Sequence, residues 1–194
     1  MNALRTALLS TLLLVPVGCV GARATFVAPA PGDGSIVTAD GPDETARRTW
    51  NAGGCCGAAA RKDVDDVAFI DALIDEMMAD HHIDADRVYV VGHSNGGFMA
   101  YPLACELSDR IAAVGLQAGG LMVDTCAPER PVSLLHVHGR DDTNVPLDGG
   151  RGSGLARVEF PAVDASASTV ADAMGCAGTA GTVVDGIVEF LLAQ

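Results

Sequence analysis

Ser94 is the residue of this chain best placed to act as a nucleophile. It lies in Gly92-His93-Ser94-Asn95-Gly96, a G-x-S-x-G sequence with an apolar run before it and a helical stretch, about 96–107, after it. A serine on a sharp strand-to-helix turn is held in a strained conformation with its hydroxyl outward. Glycines on both flanks let neighbouring backbone pass without a Cβ clash. The helix that starts there aims N–H groups and a positive dipole end at a forming oxyanion, and the N–H of Asn95 is one such donor. This is the setting for acyl transfer, in which the serine attacks a carbonyl and a histidine, oriented by a carboxylate, takes the proton. In the order serine, acid, histidine, the acid follows a later strand. Asp141 and Asp142 lie there, after Leu134-Leu135-His136-Val137-His138-Gly139, so one of them is the candidate carboxylate.

The histidine is the gap. The chain has His81, His82, His93, His136 and His138, and none follows Asp142. His93 belongs to the turn itself, with its side chain expected to point away from Ser94. His136 and His138 share a strand face by their spacing of two. They read as a core histidine and a turn histidine rather than as a metal pair. His81 and His82 diverge on a helix and make a weak ligand pair. The cysteines, vicinal at Cys55-Cys56 and otherwise isolated, fit no zinc spacing. No cofactor and no metal is expected.

The elements that must position Ser94 follow from hydrophobic spacing. Val67, Ile70, Leu73, Ile74 and Met77 mark a helix capped by Asp63 or Asp65, with Asp66 in its positive first turn and an end near His81-His82. Residues 88–91 are apolar on both faces, which predicts a central parallel strand. Residues 111–116 and 132–137 are strand-like, 25–28 and 36–38 are short β runs, and 166–174 and 183–192 read as closing helices. Residues 48–57 are loop chemistry around Trp50, the one tryptophan. The Gly149–Gly154 loop lacks the Lys-Ser/Thr of a phosphate loop. Alternating strand and helix predicts an α/β fold, a mostly parallel sheet flanked by helices.

Length and charge bound the rest. At 194 residues, one domain is expected, and 49% hydrophobic content is ample for a core. With 12 Lys+Arg against 25 Asp+Glu, the net charge of -13 argues against nucleic acid and anionic membrane surfaces as partners. Residues 1–24 read as a signal peptide: Arg5, an apolar stretch over 7–17, and Ala22-Arg23-Ala24 as a cleavage site that leaves 25–194 as a single domain. Val17-Gly18-Cys19 competes as a lipoprotein signal, and only lipidation at Cys19 would bring the chain to a membrane. The expected location is secreted, extracellular, with a cell-envelope lipoprotein as the variant.

At these residues the chain resembles the secreted esterase family of polyhydroxybutyrate depolymerases and feruloyl esterases. The likeness rests on Arg48-Thr49-Trp50-Asn51-Ala52-Gly53-Gly54-Cys55-Cys56-Gly57, on residues 64–69, on the Ser94 turn with its strand, and on residues 136–146. It implies a cofactor-free, extracellular α/β-hydrolase acting on an ester substrate, a polyester or a plant-wall ester. By position it maps the family nucleophile to Ser94 and the acid to Asp142 rather than Asp141. Two family segments have no counterpart: a His-Gly loop before residue 36, which supplies the second oxyanion donor, and a late loop carrying the catalytic histidine. The resemblance therefore implies a serine carboxylic-ester hydrolase impaired by missing parts. The alternatives are a degenerate, non-catalytic member that binds an ester or a partner, or a fragment or faulty gene model. Cys55 or Cys56 is expected to bridge to Cys105 or Cys126, with Cys176 as the odd thiol.

Overall fold

Helix α2 (Asp66–Asp80) begins where local charge favours it. Asp65 caps it, its carboxylate accepting the Ala68 N–H at 2.9 Å, and Asp66 occupies the first turn. The computed structural model describes residues 12–17, 49–154, 156–176 and 182–183. In chain order its other elements are β1 (Leu12–Val17), α1 (Gly57–Arg61), β2 (Tyr89–His93), α3 (Asn95–Glu106), β3 (Ala113–Gln117), β4 (Ser133–Gly139), β5 (Gly150–Arg151), β6 (Glu159–Phe160), α4 (Val163–Ala173) and β7 (Thr182–Val183). The expected strands 25–28 and 36–38 lie outside the described residues. So does the expected closing helix beyond Val183, which is itself in a strand.

The sheet order is β2-β3-β4-β1-β7. β2, β3 and β4 run parallel, with His93 level with Gln117 and Gln117 level with Val137. β1, within the stretch read as a leader, pairs antiparallel with β4 from Leu12–Gly139 to Val17–Leu134. α3 packs on β2 and β3, α2 packs on α3, and α4 packs on β1. This is the α/β arrangement, parallel at its centre and flanked by helices, that alternating strand and helix predicts. Arg110 ties α2 to the turn after α3, with guanidinium nitrogens 2.5 Å from both Asp71 and Asp75.

Among the described residues, residues 88–91 have a neighbouring strand on one side only, β3. Tyr89 and Val91 are 52% and 69% exposed. The exposure has a physical reason in one-sided cover. Val88 and Val90 pack on the core beneath α3, while nothing described covers the alternate face. The core itself centres on α3: Phe98, Met99, Tyr101 and Leu103 are buried with Ile111, Val114, Val132 and Val137. Phe98 stacks on Phe160 at 5.1 Å between centroids, joining the late β-hairpin to the helix.

The cysteine pairing also departs from expectation. Cys55 bonds Cys56, Cys105 bonds Cys126, and Cys176 is disulfide-bonded rather than free. Cys105 ends the buried face of α3, and the loop after β3 brings the Cys126 Cα to 4.9 Å from its own, so neither is left for the vicinal pair. The Cys105–Cys126 bridge closes a loop of sequence separation 21. Replacing both cysteines with serine is expected to lower the urea unfolding free energy by about 3 kcal/mol. A loss below about 1 kcal/mol would show that the bridge does not restrain the unfolded chain as that loop length requires.

Candidate active site

Ser94 joins β2 to α3 with φ +52° and ψ −117°, in the region non-glycine residues rarely occupy. The ladder carries that conformation one step past the strands. The Ser94 N–H donates to the Gln117 carbonyl at 2.9 Å, and the Ala118 N–H donates to Val137 at 3.0 Å. Ala118 likewise has positive φ, at +53°. Ser94, Ala118 and His138 therefore stand abreast at the C-terminal ends of three parallel strands, where open α/β sheets bind ligands. Ser94 is exposed there. The first N–H groups of α3, from Asn95 onward, have no intrahelical acceptor and face the same end.

Glycine spacing makes the turn possible, but not symmetrically. A Cβ on Gly92 would sit 2.1 Å from the Gly96 carbonyl oxygen, and one on Gly97 would sit 2.7 Å from that of Gln117. Strand end and helix start thus touch backbone to backbone. A Cβ on Gly96 would meet nothing within 4 Å, so the second motif glycine is not required by space, contrary to the sequence expectation.

Asn95 turns its side chain away from this end. Its carbonyl accepts the Trp50 N–H at 2.6 Å, and its amide donates to the Trp50 carbonyl at 3.0 Å. The loop 49–56 is pinned beside the elbow in this way, and the Trp50 ring tilts onto Phe69 at 6.1 Å. The backbone N–H of Asn95 stays at the helix start.

Asp142 closes the turn after β4. One carboxylate oxygen accepts the N–H groups of Asn144 at 2.8 Å and Val145 at 3.1 Å, and the other lies 3.8 Å from His138 Nε2. Asp141 is exposed and has no such anchors. The turn anchors the Asp142 carboxylate and leaves Asp141 at the surface. No hydrogen bond joins Asp142 to Ser94 among the described residues.

Both strand histidines are fully buried, which corrects the reading of His138 as a turn residue. Tyr101 Oη lies 2.8 Å from His136 Nδ1, His136 Nε2 lies 3.0 Å from His138 Nδ1, and His138 Nε2 lies 2.7 Å from the Val145 carbonyl. Every ring nitrogen of the pair has an internal partner. His93, His81 and His82 are exposed. Burial, with His138 alongside, lowers the His136 pKa to about 3, and burial pushes the Tyr101 hydroxyl well above its ordinary range. The sequence reading missed Tyr101. Its signal was a hydroxyl-bearing side chain seven residues beyond Ser94 in the apolar middle of that helix.

The match to the family model for Esterase PHB depolymerase covers residues 18–173. This chain belongs to that esterase family. Feruloyl esterase B of Piromyces equi is 37% identical over 127 residues, 62% of this chain and 23% of that protein. Feruloyl esterase C of Emericella nidulans is 38% identical over 86 residues, 44% of this chain and 32% of that protein. The bifunctional acetylxylan esterase/xylanase XynS20E of Neocallimastix patriciarum is 34% identical over 77 residues, 40% of this chain and 12% of that protein. The chain thus spans no more than a third of the length of these relatives. No solved structure matches it.

Two outcomes are expected of this esterase-family chain. Gly92→Ala is expected to cost at least about 2 kcal/mol of stability by urea denaturation, while Gly96→Ala stays within about 1 kcal/mol; the reverse order would refute the backbone contact. The second concerns acid. An ordinary imidazole takes a proton near pH 6.5, whereas folded His136 resists until about 3. Between those values the unfolded chain binds a proton that the folded chain does not, so stability falls as pH falls through that window. In urea titrations from pH 7 to 4, His136→Gln is expected to remove about one proton from the uptake on unfolding. An unchanged pH slope would show that His136 is not held neutral.

Proposed function

We propose that this chain is a serine carboxylic-ester hydrolase of the polyhydroxybutyrate depolymerase and feruloyl esterase type, impaired in turnover. Ser94 is the nucleophile, Asp142 the acid and the Asn95 backbone N–H an oxyanion donor. The observation that carries this reading is Ser94 itself: a non-glycine residue at φ +52°, exposed between a parallel strand and a helix start. The hydroxyl oxygen would attack an ester carbonyl, the Asn95 N–H would meet the oxyanion, and loss of the alcohol would leave an acyl group on Ser94 for water to remove.

The impairment follows from proton transfer. A serine hydroxyl needs a base within roughly 3 Å to become a useful nucleophile. No histidine follows Asp142 in these 194 residues, and His136 and His138 are committed to internal partners. Without the base, turnover of this chain is expected roughly 10⁵-fold or more below that of a complete triad.

The substrate class is a neutral polyester or a plant-wall ester, in keeping with the family's description, the names of the relatives and a net charge of -13 that disfavours polyanions. Export to an oxidising compartment, where disulfides form, accords with the Cys105–Cys126 bridge.

Hydrolysis of a short-chain activated ester tests the reading, with Ser94→Ala, His136→Ala and His138→Ala beside the natural chain. The expected result is trace turnover, together with slow stoichiometric labelling of Ser94 by a fluorophosphonate that Ser94→Ala abolishes. Robust turnover lost in Ser94→Ala would overturn the impairment, and its loss in one histidine variant would name the substitute base. Labelling that persists in Ser94→Ala would overturn Ser94 as nucleophile.

A further inference from the structure

The buried Tyr101–His136–His138 series does not end at Val145. That residue's carbonyl accepts from His138, and its N–H donates to Asp142 at 3.1 Å. The elbow helix is thereby joined to the Asp142 carboxylate through four hydrogen bonds in line. For rings that carry one N–H each, their proton order follows by elimination. A carbonyl only accepts, so His138 Nε2 carries the hydrogen and donates to Val145. A neutral imidazole has one N–H, so His138 Nδ1 accepts and His136 Nε2 donates to it. His136 Nδ1 must then accept, and the Tyr101 hydroxyl donates. All three side chains are fully buried, so breaking any step leaves a polar atom without water to replace its partner.

We propose that Tyr101, His136 and His138 are positioning residues: a neutral relay of one proton order that holds the Asp142 turn at a fixed place relative to the helix carrying the Ser94 elbow. Three features point this way. The series starts on α3, the helix that Ser94 caps. It crosses β4 on the face shared by His136 and His138. It pins Val145 from one side while Asp142 pins it from the other. The His138 Nε2–H, the positive end of the relay, also faces the second Asp142 oxygen at 3.8 Å. The catalytic meaning of the relay rests on the reading of Asp142 as the acid; the relay itself rests on the hydrogen bonds alone.

Long-range proton–nitrogen NMR of the imidazoles in the intact protein tests it without any need for turnover. At pH 7 both His136 and His138 are expected as the Nε2–H tautomer. Tyr101→Phe keeps the ring and removes the first donor. It is expected to shift the His136 signals and to speed hydrogen exchange at the Asn144 and Val145 amides about 10-fold, with β2 and β3 amides within about twofold. His138→Gln can still accept from His136 and donate to Val145, so it is expected to keep protection at those two amides, whereas His138→Phe loses it. An Nδ1–H tautomer at either histidine overturns the proton order. Unchanged Asn144 and Val145 exchange in Tyr101→Phe, or equal acceleration across the sheet, overturns the positioning role. Should Tyr101→Phe fail to fold, the tautomers of the natural chain and the Gln–Phe contrast at His138 decide the matter. Failure of the ester reading shows in the activity and labelling assays and leaves these spectra untouched.

Discussion

The direct contact of backbone with backbone where β2 runs into α3 is the constraint on which the rest of the site depends. Gly92 lies against the Gly96 carbonyl, Gly97 against that of Gln117, and a Cβ on Gly119 would fall 2.5 Å from the Gly97 carbonyl carbon. No side chain separates strand from helix at this level. The helix can approach that closely only if the chain reverses in one residue, and Ser94 is that residue, at positive φ. Strain at Ser94 is thus offset by contacts on both sides of it, in keeping with strained residues that persist only where their surroundings over-determine them.

From that contact the arrangement spreads outward along the sheet. The parallel register brings β3 and β4 to the same level as the elbow, and Ala118, at positive φ, stands between them. β4 then carries two histidines inward, where they exchange hydrogen bonds with α3 and with the Asp142 turn rather than with solvent. A polar network in a core is costly when one member is unmet and rigid when all are met. Here each imidazole nitrogen is met, and the rigidity falls on the turn that carries Asp142.

Local features of the site were legible in the sequence, and features that depend on distant cover were not. The Ser94 turn, the Asp65 cap of α2 and the three parallel strands are each set by a few neighbouring residues, so spacing reveals them. The preference for Asp142 over Asp141 came from resemblance, and what the structure adds is that two turn N–H groups hold the Asp142 carboxylate. The exposure of Tyr89 and Val91 was illegible because a strand apolar on both faces looks the same whether or not its second face is covered. The Tyr101 series was illegible for a different reason. It joins residues 35 apart, and only the packing of α3 on the sheet decides that a hydroxyl meets an imidazole there. Cysteine pairing fails on the same ground, since connectivity is a property of the fold and not of spacing.

The clamp between Asn95 and Trp50 has an optical consequence. Trp50 is the chain's one indole, its own N–H and carbonyl are held by the residue next to Ser94, and its ring leans on Phe69 of α2. Indole emission from this protein, excited beyond the tyrosine band, therefore comes from a single place, beside Asn95 at the start of α3. A change in the start of α3 or in the 49–56 loop alters the polarity around that ring and shifts its colour, so the molecule carries its own unlabelled gauge of the elbow.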